Sequence, residues 1–300
     1  VLKYFSRWSI LSCFLSLQSI KNLNEERTVM QITRKQFLFD AFRYSTGAAG
    51  GIAGLNFIAG QKAAAETKPT AWPWPYTKLD PEAARILAHD SFYKFGCCYA
   101  GYTGIIGLLQ KEVGEPFTLI PLEMMSYGGG GLKGWGTICG TLNGAAAAIS
   151  LVRDAKASTP VINELMGWYM QALMPTDQSN TYGDEGKFPV DKGIKTLPQN
   201  KSGSPLCHVS VTGWCSLAGY EIGSPEQRER CSRVSGDTAA KAVMLLNAQH
   251  YGTLKTEYVM PAATSECLSC HGPEKEVANV DHKMTCTQCH GRPHEDEEEE

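Results

Sequence analysis

The chain predicts a mainly α fold, a helical cysteine-rich domain followed by a small C-terminal segment with little regular structure. Three observations carry this reading. Period-two alternation of apolar and polar residues is scarce, so strands lack their signature. Two strong helix openings stand out, Asp80-Pro81-Glu82 and Ser224-Pro225-Glu226-Gln227. Between Ala262 and His294 there are few large apolar side chains, too few to bury a core unaided.

The elements follow in order. Asp80 is the N-cap of the first helix, with Pro81 at the first helical position and Glu82 in the first turn. Ile86, Tyr93, Cys97 and Ala100 then fall on one helical face, so a helix running through them turns Cys97 inward. The glycine run Gly128 to Gly131 breaks the chain before Cys139. Gly144 to Val152, rich in alanine, reads as a buried helix packed closely through small residues. A third helical pattern covers Pro160 to Leu173. Met174 to Ser204 is polar and rich in glycine and proline without periodicity, which predicts a long surface excursion. Ser224 caps a helix that carries Cys231. Gly236-Asp237 is expected to interrupt it before the pattern resumes from Ala239 to His250 and stops at Gly252.

The last part of the chain holds Cys267-Leu268-Ser269-Cys270-His271 and Cys286-Thr287-Gln288-Cys289-His290. Two copies of Cys-x-x-Cys-His are the signature of covalent c-type haem attachment: two thiols three positions apart add to the vinyl groups of one porphyrin, and the adjacent imidazole ligates iron. The alternative is a four-thiolate zinc site. A histidine after each pair, which such a site does not need, favours haem, and so does export. Two haem c groups per chain are expected, on Cys267, Cys270, Cys286 and Cys289, with His271 and His290 as proximal ligands. They also supply the core that the segment from 261 to 294 lacks.

Export is read from the other end. Thr33-Arg34-Lys35-Gln36-Phe37-Leu38 resembles a twin-arginine signal with lysine in place of the second arginine. A weakly apolar stretch from Thr46 to Gly60 and a small-residue cleavage site at Ala63-Ala64-Ala65 follow. The expected organisation is a leader over 1–65, a helical cysteine-rich domain over 66–260, a dihaem segment over 261–294 and an acidic tail over 295–300, with the product in the periplasm. Residues before Met30 read as a start-site artefact or an unusually long leader. The stretch from Thr46 is too short and too polar to span a bilayer, so stable membrane insertion of the mature chain is not expected. The apolar run before Cys13 is too short for a lipoprotein signal. A net charge of −3 argues against a nucleic-acid partner. The acids from Glu295 to Glu300 read as a solvated tail, with redox proteins as the expected partners.

Eleven cysteines in 300 residues is a high count. Beyond Cys13 and the four haem thiols stand Cys97, Cys98, Cys139, Cys207, Cys215 and Cys231, which in an oxidising compartment serve either as three disulfides or as metal ligands. Cys139 lies between Ile138 and Gly140, where glycine lets the backbone approach closely and present N–H groups to sulfur.

Gly96-Cys97-Cys98-Tyr99, the run Trp135-Gly136-Thr137-Ile138-Cys139-Gly140-Thr141-Leu142-Asn143-Gly144-Ala145, Cys207-His208-Val209-Ser210-Val211-Thr212-Gly213-Trp214-Cys215 and Cys231 together resemble the cysteine framework of the C-GCAxxG-C-C redox proteins. With a haem-bearing C-terminus, the chain from Leu79 to His294 resembles the split-Soret cytochromes c. That resemblance implies a homodimer with two bis-histidine haems per subunit, one axial ligand crossing from the partner, and an iron–sulfur centre elsewhere. Carried onto this sequence, it makes Cys97 or Cys98, Cys139, Cys215 and Cys231 the cluster ligands, with Cys207 as substitute. Four thiolates are the usual complement of a [2Fe–2S] centre. A folded metalloprotein also suits the twin-arginine route.

The distal ligands come from His250, His282 and His294. His282 and His294 lie too close to the second motif to reach the far face of its own haem, but either can reach another haem. His250 ends a predicted helix beside the haem segment. His89 shares an inward face with Ile86 and reads as a core histidine. His208 adjoins a cluster cysteine and reads as a neighbour of sulfur. The function expected is electron transfer by a periplasmic dihaem cytochrome, a carrier in preference to an enzyme, because bis-histidine iron has no open position. The alternatives are a haem-fed reductase with its active site among Cys97, Cys98 and Cys207, or a redox or gas sensor with a five-coordinate haem.

Overall fold

The computed structural model describes residues 70–291. The expected leader and Cys13 lie outside the described residues, as do His294 and the expected acidic tail. Nine α-helices can be named among the described residues: α1 Pro81–Phe95, α2 Cys97–Glu112, α3 Gly140–Val152, α4 Ala155–Gln171, α5 Asp177–Asp184, α6 Cys207–Ala218, α7 Pro225–His250, α8 Ala262–His271 and α9 Thr287–His290. Short 3-10 turns at Phe117–Leu119 and Leu122–Gly128 link α2 to a distorted glycine turn at Gly129–Leu132. Extended pairing among the described residues is limited to isolated bridges, Ile138 with Leu206 and Met174 with Asn200. The fold is mainly α.

Helix α2 is the centre. It is buried without a break from Cys97 to Ile106 and again at Leu108 and Leu109, and it is flanked by α1, α3 and α7. Small residues make this close packing possible. A Cβ on Gly104 would strike the Cβ atoms of Ala88 and Ala239, and one on Gly144 would strike the Cys98 carbonyl. Apolar side chains from neighbouring helices, among them Ile105, Leu142, Leu165 and Leu246, fill the core between them.

Both expected caps are present. The Asp80 carboxylate accepts from the Glu82 N–H at 2.9 Å, and the Ser224 hydroxyl accepts from the Gln227 N–H at 3.2 Å. The helix expected to run through Cys97 instead ends at Phe95. Gly96 adopts φ 85° and ψ −173°, which only glycine takes readily, and Cys97 starts α2. The inward direction of Cys97 survives this break. Helix α4 begins before the expected Pro160, because Asp154 caps it by accepting from the Ala157 N–H at 2.8 Å; the proline lies inside the helix.

Two further expectations are corrected. Residues 174–204 are not a bare surface excursion: they contain α5 and bury Tyr182, Phe188 and Leu197. Their anchor is Arg233, which donates to Asn180 Oδ1 at 2.8 Å, to the Lys195 carbonyl at 2.9 Å and to the Ile194 carbonyl at 2.5 Å. Gly236-Asp237 does not interrupt α7. Gly236 lets the Arg85 backbone approach, and Asp237 is buried as the partner of the Arg85 guanidinium.

Candidate metal centres

The segment before α3 and the start of α6 are laced together by backbone bonds. Cys139 N–H donates to the Pro205 carbonyl at 2.8 Å, and Cys207 N–H donates to the Thr137 carbonyl at 2.7 Å. This brings Cys139, at the N-cap of α3, beside Cys207, the first residue of α6. Cys97 enters from the start of α2. Gly140 makes room for it, since a Cβ there would collide with the Cys97 sulfur. Cys231 comes from α7, where Gln227 Nε2 donates to its sulfur at 3.0 Å.

Burial, then the nearby thiols of Cys139, Cys231 and Cys207, pushes the Cys97 thiol well above the ordinary range. Burial and the same kind of crowding, from Cys139 and Cys231, push Cys207 up to about 12. Cys139 is raised by burial first, with Cys231 adding to it and a hydrogen bond to Tyr169 opposing it. Cys98 is also pushed up, to about 12, by burial and by Cys139 alone among the thiols; its sulfur packs against Gly128. Cys215 is raised by burial and then by Cys231. So Cys97, Cys139, Cys207 and Cys231 crowd one another, while Cys98 and Cys215 stand at the margins.

Cys207 and Cys215 share α6, where eight residues of rise put their backbones about 12 Å apart. They therefore approach the other thiols from different turns of the helix. All ten cysteines among the described residues are free thiols. Among the described residues no three Cys, His, Asp or Glu side chains stand at coordinating geometry. The thiols are a neighbourhood and not a closed ligand sphere.

One neighbour has no signal of its own in the sequence. Arg230 is 1% exposed and lies among Cys139, Cys207, Cys215 and Cys231. Its Nη2 donates to Ser210 Oγ at 2.9 Å and its Nη1 reaches the Cys231 sulfur at 4.0 Å, while Nε has no acceptor among the described residues. Ser210 Oγ also bonds the buried Tyr169 hydroxyl at 3.0 Å, and Tyr169 in turn stands close to the Cys139 thiol. The sequence places Arg230 next to Cys231 but says nothing of its burial. Soft sulfur donors around a buried cation lacking a carboxylate fit a thiolate-bound metal centre, whose negative charge would offset the guanidinium.

The first Cys-x-x-Cys-His lies wholly on α8, so Cys267, Cys270 and His271 share one helical face. The chain then folds back on it: Val277 N–H donates to the Cys270 carbonyl at 3.1 Å and Val280 N–H to the His271 carbonyl at 2.9 Å. His271 Nδ1 pairs with Asn279 Oδ1 at 3.1 Å, which orients the ring as ligating histidines require. In the second motif Cys286 caps α9, and Cys289 and His290 are exposed. Cys267 stands close enough to the Cys286 thiol to add to the rise that burial gives it, so the two motifs are side by side. Lys283 Nζ donates to Asn163 Oδ1 of α4 at 3.1 Å, and Gln288 rests against Gly203. The second motif therefore lies beside the segment that leads into Cys207. Thiol pairs with an adjoining imidazole on a turn of helix fit covalent haem c.

A search of characterised proteins finds split-Soret cytochrome c of Desulfovibrio desulfuricans, 37% identical over 226 residues, which are 73% of this chain and 78% of that protein. The chain belongs to the split-Soret cytochrome c family. A solved structure of the split-Soret cytochrome c from Desulfovibrio desulfuricans ATCC 27774, described as having a novel iron centre, matches with a TM-score of 0.65 at 34% identity, over 73% of this chain and 90% of that one. Residues 103–245 also match the family described as "Putative redox-active protein (C_GCAxxG_C_C)". A mainly α fold and a redox role in electron transfer follow for a split-Soret cytochrome.

The histidines separate by place. His89 is buried, with Nδ1 3.2 Å from Asp90 and Nε2 3.2 Å from Glu229, as a core histidine should be. His208 is exposed, and its backbone N–H donates to the Gly136 carbonyl at 3.2 Å. His250 is exposed at the end of α7, its ring edge-on to Tyr76 and Tyr251. His282 is exposed and accepts from the Met284 N–H at 3.2 Å. No helix among the described residues is long and apolar enough to cross a membrane.

Proposed function

We propose that the chain is a periplasmic electron carrier with two covalently bound haems and a [2Fe–2S] centre, working as a homodimer with redox proteins as partners. The observation that carries this is the contact of Gln288, inside the second Cys-x-x-Cys-His, with Gly203, just before Cys207. It sets one haem motif beside the segment that leads into Cys207, which suits a carrier with two kinds of centre.

Haem and iron–sulfur groups supply one-electron chemistry. The protein's own part is attachment and orientation. Cys267 and Cys270 hold one haem and Cys286 and Cys289 the other, with His271 and His290 on iron and Asn279 fixing the first imidazole. Cys97, Cys139, Cys207 and Cys231 hold the second centre, with Cys207 preferred to Cys215 because it crowds both Cys139 and Cys231. The raised thiols are protonated before loading, so the metal must displace protons to bind. His250, His282 and His294 are the distal candidates, within the chain or from the partner. The organisation over 1–65, 66–260, 261–294 and 295–300, and export by the twin-arginine-like signal, complete the proposal.

Carbon monoxide tests it. Reduced protein with two histidines on each iron leaves its Soret band unchanged under the gas; a large change favours the reductase or sensor alternatives.

A further inference from the structure

The core holds three buried arginines, and two of them have carboxylates. Arg85 pairs with Asp237 and Glu82, and Arg233 pairs with Glu229 at 2.8 Å. Arg230 makes no ion pair with a carboxylate among the described residues, yet it is as deeply buried as the others. Burying an unpaired guanidinium costs enough to rival the whole stability of a small domain. Such a group persists when something anionic stands beside it. The neighbours at hand are sulfurs, from Cys139, Cys207, Cys215 and Cys231.

We propose that Arg230 is the fixed cation of the iron–sulfur centre, donating from Nε and Nη1 to its sulfur atoms and holding its reduction potential up. The assignment rests on the centre proposed for these thiols. The direction follows from charge. A thiolate-bound iron–sulfur centre is negative and gains one more negative charge on reduction, so a permanent positive charge beside it stabilises the reduced form more than the oxidised form. Ser210 fixes the guanidinium through Nη2, and Tyr169 holds Ser210 from a place beside Cys139. The network thus sets the cation against Cys231 and next to Cys139. Lysine could supply charge here but not the planar fork that reaches Ser210 and sulfur together.

The test uses the full, cofactor-loaded chain. Iron and acid-labile sulfide are counted, and the midpoint of the centre is measured by anaerobic titration followed by electron paramagnetic resonance, with the haem midpoints as internal control. Arg230→Gln is expected to move the centre's one-electron equilibrium at least tenfold toward the oxidised form, about 59 mV lower, while the haem midpoints stay nearly constant. Arg230→Lys recovers more than half of that change. Where Arg230→Gln fails to fold, native protein grown with nitrogen-labelled arginine carries the test: nuclear coupling from a guanidinium nitrogen to the reduced centre is expected. Full sulfide with an unmoved midpoint in Arg230→Gln, or no such coupling in the native protein, overturns the role of Arg230 alone. Native protein without acid-labile sulfide overturns the centre itself and the assignment with it.

Discussion

Arg85 and Asp237, 152 positions apart, form a buried ion pair that joins α1 to the middle of α7. Asp237 also accepts from the Thr176 N–H at 2.9 Å and from the hydroxyls of Thr176 at 2.5 Å and Ser179 at 2.7 Å, so one carboxylate ties three elements together. Asp237→Ala leaves the guanidinium with Glu82 as its one carboxylate beside the Ser179 hydroxyl, and strands the donors of α5. A loss of about 3–5 kcal/mol is expected, read as a lower urea midpoint. Asp237→Asn, which keeps an acceptor, should lose less.

Glu229 supplies an acid-sensitive counterpart. Burial alone would raise its carboxyl, but hydrogen bonds from His89, Tyr93 and Arg233 hold it down at about 2, against an ordinary 4.5. Its contribution is whole above pH 4.5 and disappears as pH falls toward 2. His89 works in the opposite sense. Burial pulls it down, yet Asp90 and Glu229 raise it above 6.5, so its share is whole below pH 6.5 and is lost as pH rises past the folded value. Unfolding free energy measured against pH should therefore decline on the acid side, with a slope of up to about 1.4 kcal/mol per pH. Glu229→Gln should flatten that limb while lowering stability at neutral pH.

Gly140→Ala tests the close approach at Cys97. The new methyl would meet the Cys97 sulfur and the Gly128 carbonyl, neither of which can retreat cheaply. Overpacking of this kind costs about 1–3 kcal/mol. Iron and sulfide content should fall further than stability does, while haem content holds.

The two cysteines of α6 give a sharper comparison. Cys207→Ala should abolish acid-labile sulfide, whereas Cys215→Ala should leave at least half of it, because Cys207 crowds Cys139 and Cys231 and Cys215 approaches Cys231 alone. The reverse ranking would return Cys215 to the ligand set.

Local signals are legible in the chain, and distant ones are not. Asp80 and Ser224 cap their helices through the expected side-chain oxygens, because a cap is decided within three residues. The break at Gly96 is invisible in the sequence, since a helix tolerates glycine and Cys97 faces inward either way. Gly236-Asp237 resembles an interruption because the partner that justifies a buried aspartate is supplied by another helix. The polar run from 174 to 204 resembles surface for the same reason: its anchor, Arg233, belongs to α7. For the site, the sequence names every cysteine but not which of them converge. It gives no sign of Arg230, Ser210 or Tyr169, because an arginine beside a cysteine says nothing about water until the fold excludes it.

The most direct test is the covalent haem content of the purified protein, measured by alkaline pyridine after acid–acetone extraction. Two c-type haems per chain, retained through extraction and reduced to one by Cys286→Ala with Cys289→Ala, are predicted. A chain that carries zinc or no porphyrin, or whose haem washes out, would contradict the account.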